Sequence, residues 1–316
     1  MKLTLAIHWC NAAWRESARA GSRELDVDHL YLGLVALGGA AARLLGRHGI
    51  SLASARERVR EAQAADLSML GIEGALLQLP PRALKDLGDP DMQFTSRARA
   101  LCDRLSKAPD TFAILVGLLK ESDAVRRLLD ADGVAPNDLV QELRAGSDDP
   151  LVADRVPPAA GVLPEPARGL RITRFVSVAP EHLADVLADP ASLAWWAYDP
   201  AHAEVSAGGE VVRLARGKRE ITVRFHLSRH EDGANHQVSW LQELTDGEYA
   251  GQPLRHDRFD ITPAPGGCEL TRTTSYRLFK LSGRLLAPVI ERATALSAVH
   301  ALQFIAYGAA EAPTPR

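Results

Sequence analysis

Three histidines, His226, His230 and His236, lie close together in the sequence and invite a metal reading. On a strand four residues span about 13 Å, too far for His226 and His230 to share one ion. Arg224, His226, Asp257 and Asp260 alternate with apolar residues, a pattern that puts them in solvent or at the mouth of a cavity, and no pair among them stands out for acid–base work. There is no GxSxG elbow and no HExxH helix. Cys10, Cys102 and Cys268 are scattered singly without a CxxC pair, so neither a disulfide framework nor a cysteine–zinc site is expected. A GxxxxGK[ST] phosphate loop is missing, and the Gly217–Lys218 dipeptide falls at an expected hairpin. The reading from chemistry is a chain without metal, cofactor or nominated catalytic residue.

Composition narrows the class. With 46% hydrophobic and 24% charged residues, the 316-residue chain has the make-up of a protein that buries a core, and its length suits two domains. A net charge of −3 leaves no basic excess for neutralising phosphates, so nucleic acid is not an expected partner. The first residues lack a basic segment followed by an apolar one, and the sequence lacks a run of about 18 apolar residues, so neither a signal peptide nor a membrane span is expected. Unpaired thiols suit a cytoplasmic protein.

The elements that would position any site divide the chain in two. Between Gly146 and Gly169, prolines at 150, 157, 158, 164 and 166 oppose helix and central strand. The expected division is a helical domain over 1–146, a linker over 147–169, a sheet domain over 170–310 and a tail over 311–316. Upstream, apolar residues recur at helical spacing, as in Leu30, Leu34 and Leu37, or Leu115, Leu118 and Leu119. Downstream the period becomes two, with Ile221, Val223, Phe225 and Leu227 on one face.

The helical half repeats itself. LTLAIHWCNAAWRESA from Leu3 parallels FTSRARALCDRLSKA from Phe94, and Gly33 and Gly49 are spaced as Gly117 and Gly133 are. Gly49 and Gly133 each sit where a helix should stop. In helix-start terms, Asp28 and Thr95 are placed to cap the helices that follow them.

Residues 3–145 resemble the N-terminal double-repeat domain of Clp unfoldases of the ClpC and ClpB type. The resemblance is carried by Asp28, His29, Leu32, Gly33, Leu34, Leu45, Gly49 and Ile50. It implies an all-α, pseudo-twofold domain that docks client proteins, adaptors, Clp protease components or Clp-directed natural products, and in ClpC types holds phosphorylated arginine. Asp28 matches the position of the family's recognition glutamate, and Thr4 and Thr95 match its helix-start threonines. The second repeat departs from the pattern, with Thr111, Phe112 and Ala113 where the family carries Thr-Glu-His, which leaves at most half of the double site.

From Leu170 the order of a strand, two short helices, about six further strands and a long helical segment over 282–309 is similar to the START-like (SRPBCC, polyketide cyclase and dehydrase) helix-grip superfamily. RITRFVSVAPEHLADVLADPASLAWW opens that order. The resemblance implies an α+β fold in which a curved antiparallel sheet wraps the long C-terminal helix around a cavity for a small hydrophobic ligand. Trp195, Trp196, Phe225, Trp240, Phe259 and Tyr276, with Val289 on the apolar helix stripe Leu285, Leu286, Val289, Ile290, Ala293 and Leu296, are the residues that could line it, or equally fill a core. Pro288 either starts that helix or kinks it. The combined reading is a two-domain binding protein, an adaptor, decoy or sensor around Clp proteolysis, with a cyclase- or aromatase-like enzyme as the alternative.

Overall fold

The computed structural model describes residues 2–69, 71, 93–146, 151–216, 219–279 and 286–312. Gly217–Lys218 and Leu285 lie outside the described residues. Two compact units make up the chain, one of Met1–Pro150 with Phe175–Val178 and Ala264–Gly267, the other of Leu151–Arg174, Ala179–Pro263 and Cys268–Arg316.

The first unit contains α1 (Lys2–Arg19), β1 (Glu24–Leu25), α2 (Val27–Leu37), α3 (Ala40–Arg47), α4 (Leu52–Met69), β2 (Gln93–Phe94), α5 (Ser96–Leu105), α6 (Thr111–Glu121), α7 (Asp123–Ala131) and α8 (Pro136–Ala145). The two-residue strands β1 and β2 pair in parallel. Helix α2 is buried at every residue from His29 to Leu37, which is why its sequence is apolar all round and not on one stripe.

The internal repeat has a physical counterpart. A Cβ on Gly33 of α2 would lie 2.4 Å from the Ala13 backbone nitrogen of α1, and one on Gly117 of α6 would lie 2.3 Å from the Leu105 side chain of α5. Each glycine lets the second helix of its group approach the first. The third helices also stop alike: Gly49 and Gly133 adopt φ of 81° and 76°, and the N–H groups of Ile50 and Val134 donate back to Leu45 and Leu129 at 3.0 and 2.9 Å. Helix starts are capped by Asp26 for α2, Thr95 for α5, Asp110 for α6 and Ser122 for α7.

The second unit is built on an eight-stranded sheet in the order β3-β4-β10-β9-β8-β7-β6-β5. Its strands are β3 (Asp154–Val156), β4 (Ala167–Val176), β5 (Ala203–Val205), β6 (Val211–Arg216), β7 (Arg219–Asp232), β8 (Asn235–Leu244), β9 (Pro253–Ala264) and β10 (Gly267–Arg277). Helices α9 (Pro180–Ala188) and α10 (Leu193–Trp196) connect β4 to β5, and α11 (Ala287–Glu311) ends the chain's regular structure. The consecutive strands from β5 to β9 pair antiparallel, as do β3 and β4. An antiparallel sheet followed by a long helix is the element order of a helix-grip fold.

Two expectations change. The segment read as a linker supplies a strand: β3 pairs with β4, Asp154 opposite Arg171 and Val156 opposite Gly169. Pro157 and Pro158 follow this edge strand instead of interrupting it, a position where proline removes no ladder bond. The apolar stripe of α11 is reversed. Leu286, Val289 and Leu296 are exposed, whereas Ala298, Ala301, Leu302, Ile305, Ala306 and Ala309 are buried. Small residues permit this close seat; a Cβ on Gly308 would lie 3.1 Å from the Trp195 ring. Pro288 lies in the first turn of α11 and does not kink it. By length and composition alone, α11 is long and apolar enough to cross a membrane, as is the bent pair α2–α3 taken together. The α11 window has a mean hydropathy of 1.2 and is 56% buried inside the protein, which a core helix also satisfies.

Candidate functional site

The inner face of the sheet gathers most of the aromatic residues picked out by type. Trp196 of α10 meets Phe259 of β9 edge-on, with ring centroids 5.0 Å apart, and Phe225 of β7 meets Trp240 of β8 at 6.4 Å. Trp240 Nε1 donates to the Leu187 carbonyl at 2.9 Å, tying β8 to the end of α9. Trp195 packs on Gly308 of α11. Tyr276 is buried in a separate cluster with Leu170 and Leu278, against Ala287 and Ile290 at the start of α11. Val289 does not belong to this face, being 66% exposed.

Among the aromatics runs a polar strip that reading by residue type missed. Asp257, placed by its alternation in solvent or at a cavity mouth, is fully buried. Its Oδ1 accepts from Arg272 Nε at 3.0 Å and Nη2 at 2.8 Å, from Thr274 Oγ1 at 2.6 Å and from Arg255 Nη2 at 3.0 Å. Arg255 Nε lies 2.7 Å from Oδ2. Arg272 is itself stacked over the Trp196 and Phe259 rings, at 5.1 and 5.4 Å from their centroids. The signal was present in the period of two: if Phe259 points inward, so do Asp257 and Ile261, and the same rule places Arg272, Thr274 and Tyr276 on one face of β10.

The electrostatics follow from the geometry. Burial pushes the Asp257 carboxyl up, but Arg255 and Arg272 beside it, with the hydrogen bonds from Arg255 and Thr274, hold it down at about 2. Burial lowers the Arg272 guanidinium, with Asp257 opposing. Among the described residues, the donors Arg272 Nη1, Gln242 Nε2 and Trp196 Nε1 on this strip lack a hydrogen-bond partner, while Arg255 Nε and Asp257 Oδ2 meet each other only as an ion contact. The three donors are contiguous, since Trp240 lies opposite Asp257 and Gln242 opposite Arg255 in the β8–β9 register, while Arg272 bridges Asp257 and Trp196.

The helical unit offers a cavity of about 290 Å³ between α2, α4 and α7, lined by Asp28, Arg58, Gln63, Asp66, Arg127 and Leu128 among others. Asp28 is not the helix cap; Asp26 caps α2 in a reciprocal arrangement in which the Asp26 N–H donates to His29 Nδ1 at 3.0 Å. Asp28 sits in the first turn and accepts from Gln63, and burial followed by the nearby Asp26 pushes its carboxyl up. Arg58 is occupied by Asp132 at 2.7 Å and Glu61 at 2.6 Å, and Arg127 stands 3.9 Å from Asp66. Phe112 occupies the equivalent place in α6, second residue after its cap. Thr95 is used within the fold, its hydroxyl accepting from Ala98 N–H at 3.2 Å and donating to Asp26 Oδ1 at 2.8 Å. Thr4 lies in the first turn of α1, and its side chain is outside the described residues.

No family model and no curated protein matches the chain. Solved structures similar to it include protein Ms6760 from Mycobacterium smegmatis, at 19% identity over 49% of this chain and 94% of that one, with a TM-score of 0.32. Norcoclaurine synthase from Thalictrum flavum is similar at 12% identity over 43% and 84%, with a TM-score of 0.30, and Ara h 8.0201 at 10% over 44% and 98%, with a TM-score of 0.29.

Proposed function

We propose that the chain is a binding protein whose sheet unit takes a small molecule with an aromatic or apolar body and an acceptor group, preferably anionic. The observation that carries this reading is the set of unpartnered donors, Arg272 Nη1, Gln242 Nε2 and Trp196 Nε1, buried among Trp196, Trp240 and Phe259. A buried donor left unmade costs about 1–3 kcal/mol, so a ligand that supplies acceptors to this aromatic face would gain by pairing them. The test is a tryptophan-fluorescence titration with 1-anilinonaphthalene-8-sulfonate and with its uncharged relative N-phenyl-1-naphthylamine. Saturable one-to-one quenching, tighter for the sulfonate, supports the reading; no saturable quenching by either probe removes it.

The resemblance of the helical unit to Clp N-terminal domains extends the proposal. In it, that unit contacts Clp protease components, adaptors, client proteins or Clp-directed natural products, and the protein acts as an adaptor, decoy or sensor. Asp28 on the 290 Å³ cavity supports a guanidinium-bearing peptide as the contact, because a carboxylate recognises a guanidinium fork. The rival reading, a polyketide cyclase- or aromatase-like enzyme, needs a group on the sheet face that exchanges protons. Asp257 is held ionised by two arginines, and the strip presents donors, which favours binding over turnover.

A further inference from the structure

The fold brings together two thiols that lie far apart in sequence. Cys10 lies in α1 and Cys102 in α5, the helices that open the two repeats, and their sulfurs stand 3.6 Å apart, within reach of an S–H···S hydrogen bond. Both are partly accessible, whereas Cys268 is buried in the other unit. We propose that Cys10 and Cys102 are an oxidisable dithiol site that takes a hydroperoxide and closes a disulfide joining the two helix groups. An S–S bond is about 2.05 Å long, so the sulfurs need to approach by about 1.5 Å.

The hydrogen bond shared with Cys102 lowers the Cys10 thiol against the opposing burial. Cys102 is pushed up by its hydrogen bond to Cys10, then by burial. Arg99 and Asp103 act on both sulfurs, the one favouring a thiolate and the other opposing it. Either thiol can attack first; with Cys10 as the attacking thiolate, Cys102 is the resolving thiol. The Cys10 sulfur attacks one peroxide oxygen, the S–O bond forms and the O–O bond breaks. The departing oxygen takes a proton and leaves as water, or as an alcohol from an organic hydroperoxide. Cys102 then attacks the sulfenic sulfur of Cys10, the S–O bond breaks, and the hydroxyl leaves with the Cys102 proton as water. The two thiols lose two electrons and two protons, and the peroxide gains both. This site does not depend on the ligand reading of the sheet unit.

The test uses the full chain. Stoichiometric hydrogen peroxide should lower the thiol count under denaturing conditions from three to one, reduce the intact mass by two hydrogens and give a peptide joining Cys10 to Cys102. Closing so long a loop should raise the melting midpoint by roughly 5–10 °C, reversibly with dithiothreitol. Cys268→Ser should retain all of this. Cys102→Ser should stop at a Cys10 sulfenic acid that dimedone traps. If both thiols stay alkylatable after peroxide, or if oxidation yields only dimers or a link to Cys268, the proposal is overturned.

Discussion

Asp257 and Arg272 form an ion pair in which both side chains are fully buried, the carboxylate Oδ1 taking hydrogen bonds from Nε and Nη2 of one guanidinium at 3.0 and 2.8 Å. Taking one partner from such a pair leaves the other charged and dry. The arrangement is asymmetric, since Asp257 serves Arg255 as well as Arg272. Asp257→Ala should therefore destabilise the sheet unit by about 3–5 kcal/mol, and Arg272→Met by less, because Arg255 and Thr274 still satisfy the carboxylate. Urea unfolding followed by tryptophan fluorescence gives both values; equal, sub-kilocalorie losses would refute the paired assignment.

The same carboxylate sets an acid limit. Its folded value of about 2 lies below the ordinary 3.8, so it contributes stability that is complete above pH 3.8 and is lost as the pH falls from there through 2. The contribution is about 2 kcal/mol. Wild type should lose more stability over that window than Asp257→Asn, whose slope should be flatter.

The helical unit should weaken earlier. Burial lowers His29 to about 4 from 6.5, and its Nδ1 accepts the Asp26 N–H, a bond that only the unprotonated nitrogen can make. The neutral ring stabilises the fold above pH 6.5, and that stability, about 3 kcal/mol, is lost as the pH falls from 6.5 through 4. His29→Gln keeps an acceptor at the third helical position but does not titrate. A midpoint-versus-pH series should show the fall over that window for wild type and its absence in the variant.

These features differ in how far the sequence disclosed them. The repeat is legible because Gly49 and Gly133 are demanded by a positive φ, and Gly33 and Gly117 stand where a neighbouring helix comes close, the Ala13 backbone in one copy and the Leu105 side chain in the other. Trp196, Phe225, Trp240 and Phe259 are legible as one group because large aromatic side chains need burial, whichever element carries them. Asp257 reads by its charge as a residue of solvent or a cavity mouth, although the period of two sets it on the face of Phe259, and its pairing with Arg272 cannot be read along one strand. The burial of α11 was inverted because large apolar residues look like a core face, while close packing selected Ala298, Ala301 and Gly308 instead. The meeting of Cys10 and Cys102 depends on how α1 and α5 sit together, which no local pattern encodes.

Asp28 tests the helical cavity. Since Asp26 supplies the cap, Asp28→Asn should leave helix stability nearly unchanged. It should weaken binding of a phospho-arginine or basic peptide by about 1.5–3 kcal/mol, the range for a hydrogen bond to a charged group. Calorimetry with equal affinities for the two proteins would leave Asp28 without a recognition role.

The central claim, that the sheet unit binds an acceptor-bearing apolar molecule through its buried donors, is tested most directly at Gln242. This residue carries an unpartnered Nε2 and stands outside the Asp257 ion pair, so Gln242→Leu removes a donor without breaking the pair. The measurement is the ratio of affinities for 1-anilinonaphthalene-8-sulfonate and N-phenyl-1-naphthylamine in wild type and in Gln242→Leu. The account predicts that the variant loses roughly tenfold for the sulfonate while the uncharged probe changes by about twofold or less. Equal losses for both probes, or none for either, would contradict it.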